Sequence, residues 1–145
     1  MKIHTIPILA IATMLSLASS AFALGEAPSP PSNVVAADAP DDAGESIILS
    51  WALSPNDIFG TLQADSEAPD PDLVVSAYYI ERIAGAALHD EAISEEDQSW
   101  RQIAESAAGE VTFTDRKVQR GWTYMYRVGA VDIQGELSPW AETAE

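Results

Sequence analysis

Residues 121–140 read GWTYMYRVGAVDIQGELSPW, and the reading of this stretch decides the fold. Alternation with a period of two places Tyr124, Tyr126, Val128 and Ala130 on one face of a strand. Gly135 then gives a turn signal, and Ser138-Pro139 follows at once. An antiparallel hairpin at the end of a small β-sandwich is written in this way.

Upstream segments carry the same period. Residues 46–53 alternate, with Ile47, Leu49 and Trp51 on one face, so they are expected to form a core strand with Trp51 inside. A buried indole needs a partner for its N–H, and none is evident from the sequence. Residues 74–83 form the next predicted strand, in which Tyr78 and Ile80 share a face with Arg82. Shorter strands are predicted at 33–37, 100–104 and 111–114, the last carrying Phe113 inward. A long strand follows at 123–131, and a final one runs from near Ser138 to the chain end. Helix is expected only locally, around 90–98. Strands at this spacing, separated by turn signals, argue for an all-β sandwich of about seven antiparallel strands.

The N-terminus speaks for export. Lys2 precedes an apolar run at 6–17, too short to span a bilayer, and Ala21-Phe22-Ala23 fits a signal-peptidase site. Residues 1–23 are therefore expected to be a signal peptide, and the mature chain to be secreted or periplasmic from Leu24. Residues 24–31, with Pro28, Pro30 and Pro31, are expected to be an extended leader feeding a first edge strand. The domain proper is 32–145. The chain contains no cysteine, so a lipid anchor on a cleaved N-terminal Cys and a disulfide-pinned scaffold are both excluded. Burial and strand pairing must stabilise the fold instead.

Composition narrows the partners. The chain has 23 Asp and Glu against 7 Lys and Arg, a net charge of −16. From Leu24 to Glu81 there is no Lys or Arg at all. Repulsion from phosphates argues against nucleic acid or an anionic membrane surface as a partner. No segment after Leu24 is apolar for long enough to span a membrane.

Taken together, these residues resemble the fibronectin type III family. Its members open with a proline before the first strand, here Pro31, and place a Trp in the second, here Trp51. Tyr78 with Ile80 matches the Tyr-x-Ile/Val of the third strand. Val118 stands six residues before Tyr124, which opens the Tyr-x-Tyr-x-Val-x-Ala run of Tyr124, Tyr126, Val128 and Ala130, and Gly135 with Ser138 matches the Gly-x-x-Ser turn. The match spans about 30–141, with Arg120 where many members have proline. It implies an immunoglobulin-like sandwich whose structural core includes Trp51, Tyr78, Ile80, Val118, Tyr124, Tyr126 and Val128. It further implies that Tyr124 is a tyrosine-corner residue, its hydroxyl bonded to backbone near Val118.

One departure from the family bears on function. Between Leu53 and Val74 the chain inserts about twenty residues, and connections of this length are commonly functional. In the family this loop shares an end of the sandwich with the turn at 132–136. Ile58, Phe59 and Leu62 sit in it among Asp57, Asp65, Glu67, Asp70 and Asp72. They form either a partner-binding loop with an apolar anchor and an acidic rim, or a plug for the open end of the core. A second long connection, 84–99, is expected at the opposite end.

Sites for chemistry are sparse. His89 is the lone histidine of the mature chain, too little for a transition-metal site, which needs several convergent ligands. Asp38, Asp41 and Asp42, or Asp70 and Asp72, offer hard oxygens to calcium, but no EF-hand loop exists. A serine triad would have to be built on His89, and Gly-rich phosphate loops are absent. The expectation is a secreted, non-catalytic binding or spacer module without a cofactor, meeting a protein or a glycan. A glycan would need exposed aromatics, for which Trp100, Trp122 and Trp140 are the candidates. The alternative is a structural subunit of an extracellular or cell-surface assembly, which needs a self-associating edge or patch.

Overall fold

Seven strands pack as two facing antiparallel sheets in a computed structural model that describes residues 26–61, 70–87, 94 and 98–144. In chain order they are β1 (Ser32–Asp38), β2 (Ile47–Ala52), β3 (Val75–Ala87), β4 (Arg101–Ala107), β5 (Thr112–Asp115), β6 (Trp122–Asp132) and β7 (Ala141–Glu142). One sheet has the order β1-β2-β5 and the other β4-β3-β6-β7. This is an immunoglobulin-like sandwich. The β3–β6 ladder, running from Val75↔Asp132 to Ala87↔Trp122, is its spine.

Inward positions follow the alternation. Leu49, Tyr78, Ile80, Tyr126, Val128 and Ala130 are wholly buried, with Val34, Trp51 and Val75 beside them. Tyr124 and Phe113 pack against this cluster from its margin. The Trp51 and Tyr78 rings meet at 5.8 Å in a tilted arrangement, the geometry that a ring quadrupole favours. The Trp51 indole N–H is buried without a hydrogen-bond partner among the described residues. Val118 is half-buried outside this cluster, because β5 stops at Asp115 and the chain then runs over the end of the sandwich rather than between the sheets.

β3 runs on to Ala87, into the connection expected at 84–99, and β4 to Ala107, past the expected end at 104, and three further local features differ from the sequence expectations. The last strand, expected from near Ser138, is only Ala141–Glu142, since Pro139 has no N–H to give a ladder. Ser138 makes up part of the loss: its N–H donates to the Ala130 carbonyl at 2.8 Å, and its Oγ accepts from the Ala130 N–H at 2.9 Å. The leader is more than a linker, with Pro28 and Pro31 buried. Ser54 Oγ donates to the Ser29 carbonyl at 2.6 Å, and the Ser29 N–H donates to Asn56 Oδ1 at 2.8 Å. Helical turns occur inside the inserted connection, at Ile58–Thr61 and as a 3-10 turn at Pro71–Leu73. Most of 90–98, where helix was expected, lies outside the described residues.

The connections sort to two ends. The β2–β3, β4–β5 and β6–β7 connections and the leader meet at one, which we call the upper end. There the Val75 N–H donates to the Asn56 carbonyl at 3.2 Å, Ala108 N–H to Ser76 O at 3.2 Å, and Ile133 N–H to Val74 O at 3.1 Å. The β1–β2 and β5–β6 connections lie at the lower end.

Candidate functional site

The upper end is organised by a carboxylate. Asp57, wholly buried, stands at the head of the inserted connection just before the Ile58–Thr61 turn. Its Oδ2 accepts from the Tyr78 hydroxyl and from the Gly109 N–H, both at 2.8 Å, and its Oδ1 accepts from the Phe59 N–H at 2.9 Å. The Tyr78 hydroxyl in turn accepts from the Ser54 N–H at 3.0 Å. One carboxylate thus ties the inserted loop to β3 and to the β4–β5 turn. A buried charge tolerates this position because three donors converge on it. Burial pushes the Tyr78 phenol well above its ordinary value, and the neighbouring Asp57 adds to the shift.

This clamp presents a small apolar surface. Ile58 is 39% exposed and Phe59 50%, while Val111 from the β4–β5 connection and Ile133 from the β6–β7 turn are 41% and 63% exposed. The other exposed large apolar side chains described are Val35 of β1, Met125 of β6 and Leu137 of the β6–β7 connection. Phe59 rests on the β4–β5 turn: a Cβ built on Gly109, whose φ is +84°, would stand 3.0 Å from the Phe59 ring. Only glycine serves there, both for the backbone and for the ring. Leu62 lies outside the described residues.

Acidic groups surround these side chains. Asp70, Asp72, Glu110 and Glu136 belong to the same connections, and Glu26, Asp70, Asp72, Leu73 and Gln134 line a shallow cleft of about 270 Å³. Gln134 Nε2 donates to the Asp72 carbonyl at 3.2 Å, which joins the β6–β7 turn to the inserted loop. Asp132 shapes that turn, its Oδ1 accepting from the N–H groups of Gln134 at 2.8 Å and Glu136 at 2.9 Å.

The remaining candidate residues are scattered. Trp100 and Trp140 flank Arg127 on the outer face of the larger sheet, with ring centroids 4.4 and 4.5 Å from its guanidinium, and Arg127 Nε donates to Glu81 at 2.7 Å. Each ring therefore turns one face to the cation rather than to solvent. Trp122 stacks on Tyr124 at 6.4 Å. The Tyr124 hydroxyl accepts from the Gln119 N–H at 2.8 Å, a tyrosine-corner bond one residue beyond Val118. Among the calcium candidates, Asp42 is turned onto its own loop, accepting from the N–H groups of Gly44 and Glu45 and from the Ser46 hydroxyl. That Ser46 bond is the main cause holding its carboxyl below the ordinary value. Asp70 Oδ1 accepts from the Asp72 N–H at 3.0 Å. No group of three or more His, Asp or Glu able to hold a metal ion occurs among the described residues. His89 lies outside them.

Of the upper-end residues, sequence reading singled out Ile58 and Phe59 but not Val111, Ile133 or the clamp role of Asp57. A signal for the first two was present. Each is an apolar residue two positions from a turn glycine, Gly109 or Gly135, with Val111 opening a predicted strand and Ile133 just past the end of one. The Asp57–Tyr78 bond joins residues 21 apart, and nothing local announces it.

No family model matches the sequence, and no curated protein matches it. Solved structures do match its fold. Domains A168–A170 of titin align at a TM-score of 0.53 and 18% identity over 82% of this chain and 31% of that one. The twitchin kinase region from C. elegans (Fn31-NL-kin-CRD-Ig26) aligns at 0.53 and 24% identity over 82% of this chain and 16% of that one. A structure described as FN3tt mut aligns at 0.50 and 13% identity, over 81% and 94% of the two chains. The fold is fibronectin type III-like.

Proposed function

We propose that the protein is a secreted, non-catalytic binding module that meets a protein partner through the upper end of the sandwich. One observation supports this reading: exposed apolar side chains from three connections, Ile58, Phe59, Val111 and Ile133, stand at one end of the sandwich, where the buried Asp57 ties the inserted loop to the β4–β5 turn. A rigid apolar anchor ringed by charge is what a binding hot spot needs, since the anchor's order is established before the partner arrives. The rim is acidic and the chain carries −16, so the partner's face is basic around an apolar centre. Export follows from the N-terminal segment, with Leu24 as the first mature residue, which N-terminal sequencing of the exported protein checks.

The test is the double variant Ile58→Ser/Phe59→Ser, with partners captured from the native secretome and affinity then measured on the purified pair. Binding is expected to weaken at least about 30-fold, the equivalent of two kcal/mol at hot-spot positions. The melting midpoint is expected to move little, because both side chains are already half exposed. Collapse of the midpoint would make Ile58 and Phe59 an end plug. Unchanged stability with unchanged binding would remove the upper end from consideration.

A further inference from the structure

The chain has only seven Lys and Arg, yet four of them, Arg82, Arg101, Arg116 and Lys117, line one groove of about 570 Å³. The groove lies where the sandwich is open. β4 is the outer strand of the larger sheet and contributes Arg101, Gln102 and Ile103, while β5 is the outer strand of the smaller and contributes Phe113, Thr114 and Asp115. Arg116 and Lys117 continue from β5 along the rim. Ile103 and Phe113 are half-buried against the core and give the groove an apolar wall.

Its single lining carboxylate is already engaged. Asp115 Oδ2 accepts from Arg82 Nη1 at 2.7 Å and from the Tyr126 hydroxyl at 3.1 Å, and its Oδ1 accepts from the Lys117 N–H at 2.9 Å. It offsets the Arg82 charge and leaves the exposed Arg116 and Lys117 side chains to act on an incoming anion. Two cations beside an apolar wall suit an anionic head on an apolar body, and the volume lies in the range of roughly 300–1,000 Å³ seen for small-molecule sites.

We propose that this groove binds a compact amphipathic carboxylate, its head at Arg116 and Lys117 and its body on Ile103 and Phe113. The overall charge selects for the compact and the singly charged. Attraction within the groove acts over a few ångströms, whereas a polyanion would extend past it onto acidic surface, beyond a screening length of about 8 Å at physiological salt. A dianion meets twice the long-range repulsion of a monoanion. The site is separate from the apolar upper end and does not depend on a partner binding there.

The experiment is an NMR titration of the full-length mature protein with 4-phenylbutyrate and, separately, with the neutral 4-phenylbutanol. The carboxylate is expected to give saturable shifts at Ile103, Phe113, Arg116 and Lys117, with the alcohol at least about tenfold weaker. Arg116→Gln/Lys117→Gln is expected to weaken the carboxylate about tenfold, or 1.4 kcal/mol, with an unchanged melting midpoint. Both side chains are exposed, and the backbone bonds of Lys117 survive the change. Absence of saturable shifts, equal binding of the alcohol, or wild-type binding by the double variant would each overturn the proposal.

Discussion

The two ends of the sandwich solve one problem with different chemistry. At each, a tyrosine from the inward row of a central strand reaches an aspartate from a connection: Tyr78 of β3 meets Asp57 at the upper end, and Tyr126 of β6 meets Asp115 at the lower. The upper aspartate is met by a phenol and two backbone N–H groups, none of them charged. The lower one is met by the Arg82 guanidinium, which also donates to the Lys117 carbonyl at 3.0 Å and lies 4.8 Å from the Tyr124 ring centroid. Charge at the upper end is therefore left uncompensated, in keeping with its acidic rim. Charge at the lower end is neutralised inside, and its margin is mixed, with Arg116 and Lys117 beside β5 and Asp38, Asp41, Asp42 and Glu45 at the β1–β2 connection. The same motif is thus satisfied by neutral donors at one end and by a buried cation at the other, so the two ends are expected to respond differently to loss of the aspartate.

Removing the lower aspartate is expected to cost the most. Asp115→Ala strands the buried Arg82 charge, for a loss of about 3–5 kcal/mol. Arg82→Met/Asp115→Leu is expected to recover most of it, because a buried pair repays little beyond its own desolvation. Urea melts of the three proteins decide the matter; equal stability of Asp115→Ala and wild type would mean that Arg82 finds its partner elsewhere.

Asp57→Ala is expected to cost less, about 2–3 kcal/mol, since it strands neutral donors, the Tyr78 hydroxyl and the Gly109 N–H. Its particular consequence is local. Amide exchange at Phe59 and Gly109 is expected to speed up well before the sheets open. A uniform change in exchange across the domain would show that the upper end is not separately clamped.

The smallest effect is on pH dependence, and here the two ends agree. Burial, the largest cause at both, raises the phenols of Tyr78 and Tyr126 above their ordinary value, and the adjoining carboxylate adds to each shift. The folded protein then keeps protons that the unfolded chain releases at about pH 10. Stability is fully present below that pH and falls as the pH rises above it. Denaturant midpoints measured on both sides of pH 10 are expected to show the decline, with tyrosinate absorbance from these two residues appearing only on unfolding. Tyr78→Phe and Tyr126→Phe should each flatten it; a decline that survives both changes must come from other groups.

The sheets were legible in the sequence because a period of two is a local property. Tyr124 to Ala130 and Ile47 to Trp51 carry their inward faces in plain order, whereas the β2–β5 and β3–β6 pairings join strands that are not consecutive and depend on how the sandwich closes. Even the ends of the strands erred for local reasons, as at Pro139. Arg82 was correctly placed on the face of Tyr78 and Ile80, but its partner was not, since Asp115 lies 33 residues away.

By itself, the sequence determined that the chain folds as an all-β sandwich, which face of each strand turns inward, and that the protein is strongly acidic without disulfides. Pattern and composition suffice for these, because burial acts on every second residue of a strand wherever its neighbours come from. Only the tertiary structure decided that Asp57 is a clamp rather than part of an acidic rim, that Phe59, Val111 and Ile133 share one end, and that scarce basic residues line one groove. Each of these depends on which connections cross which end of the sandwich. That is settled when the sheets close on each other, through bonds between residues that the chain itself keeps far apart.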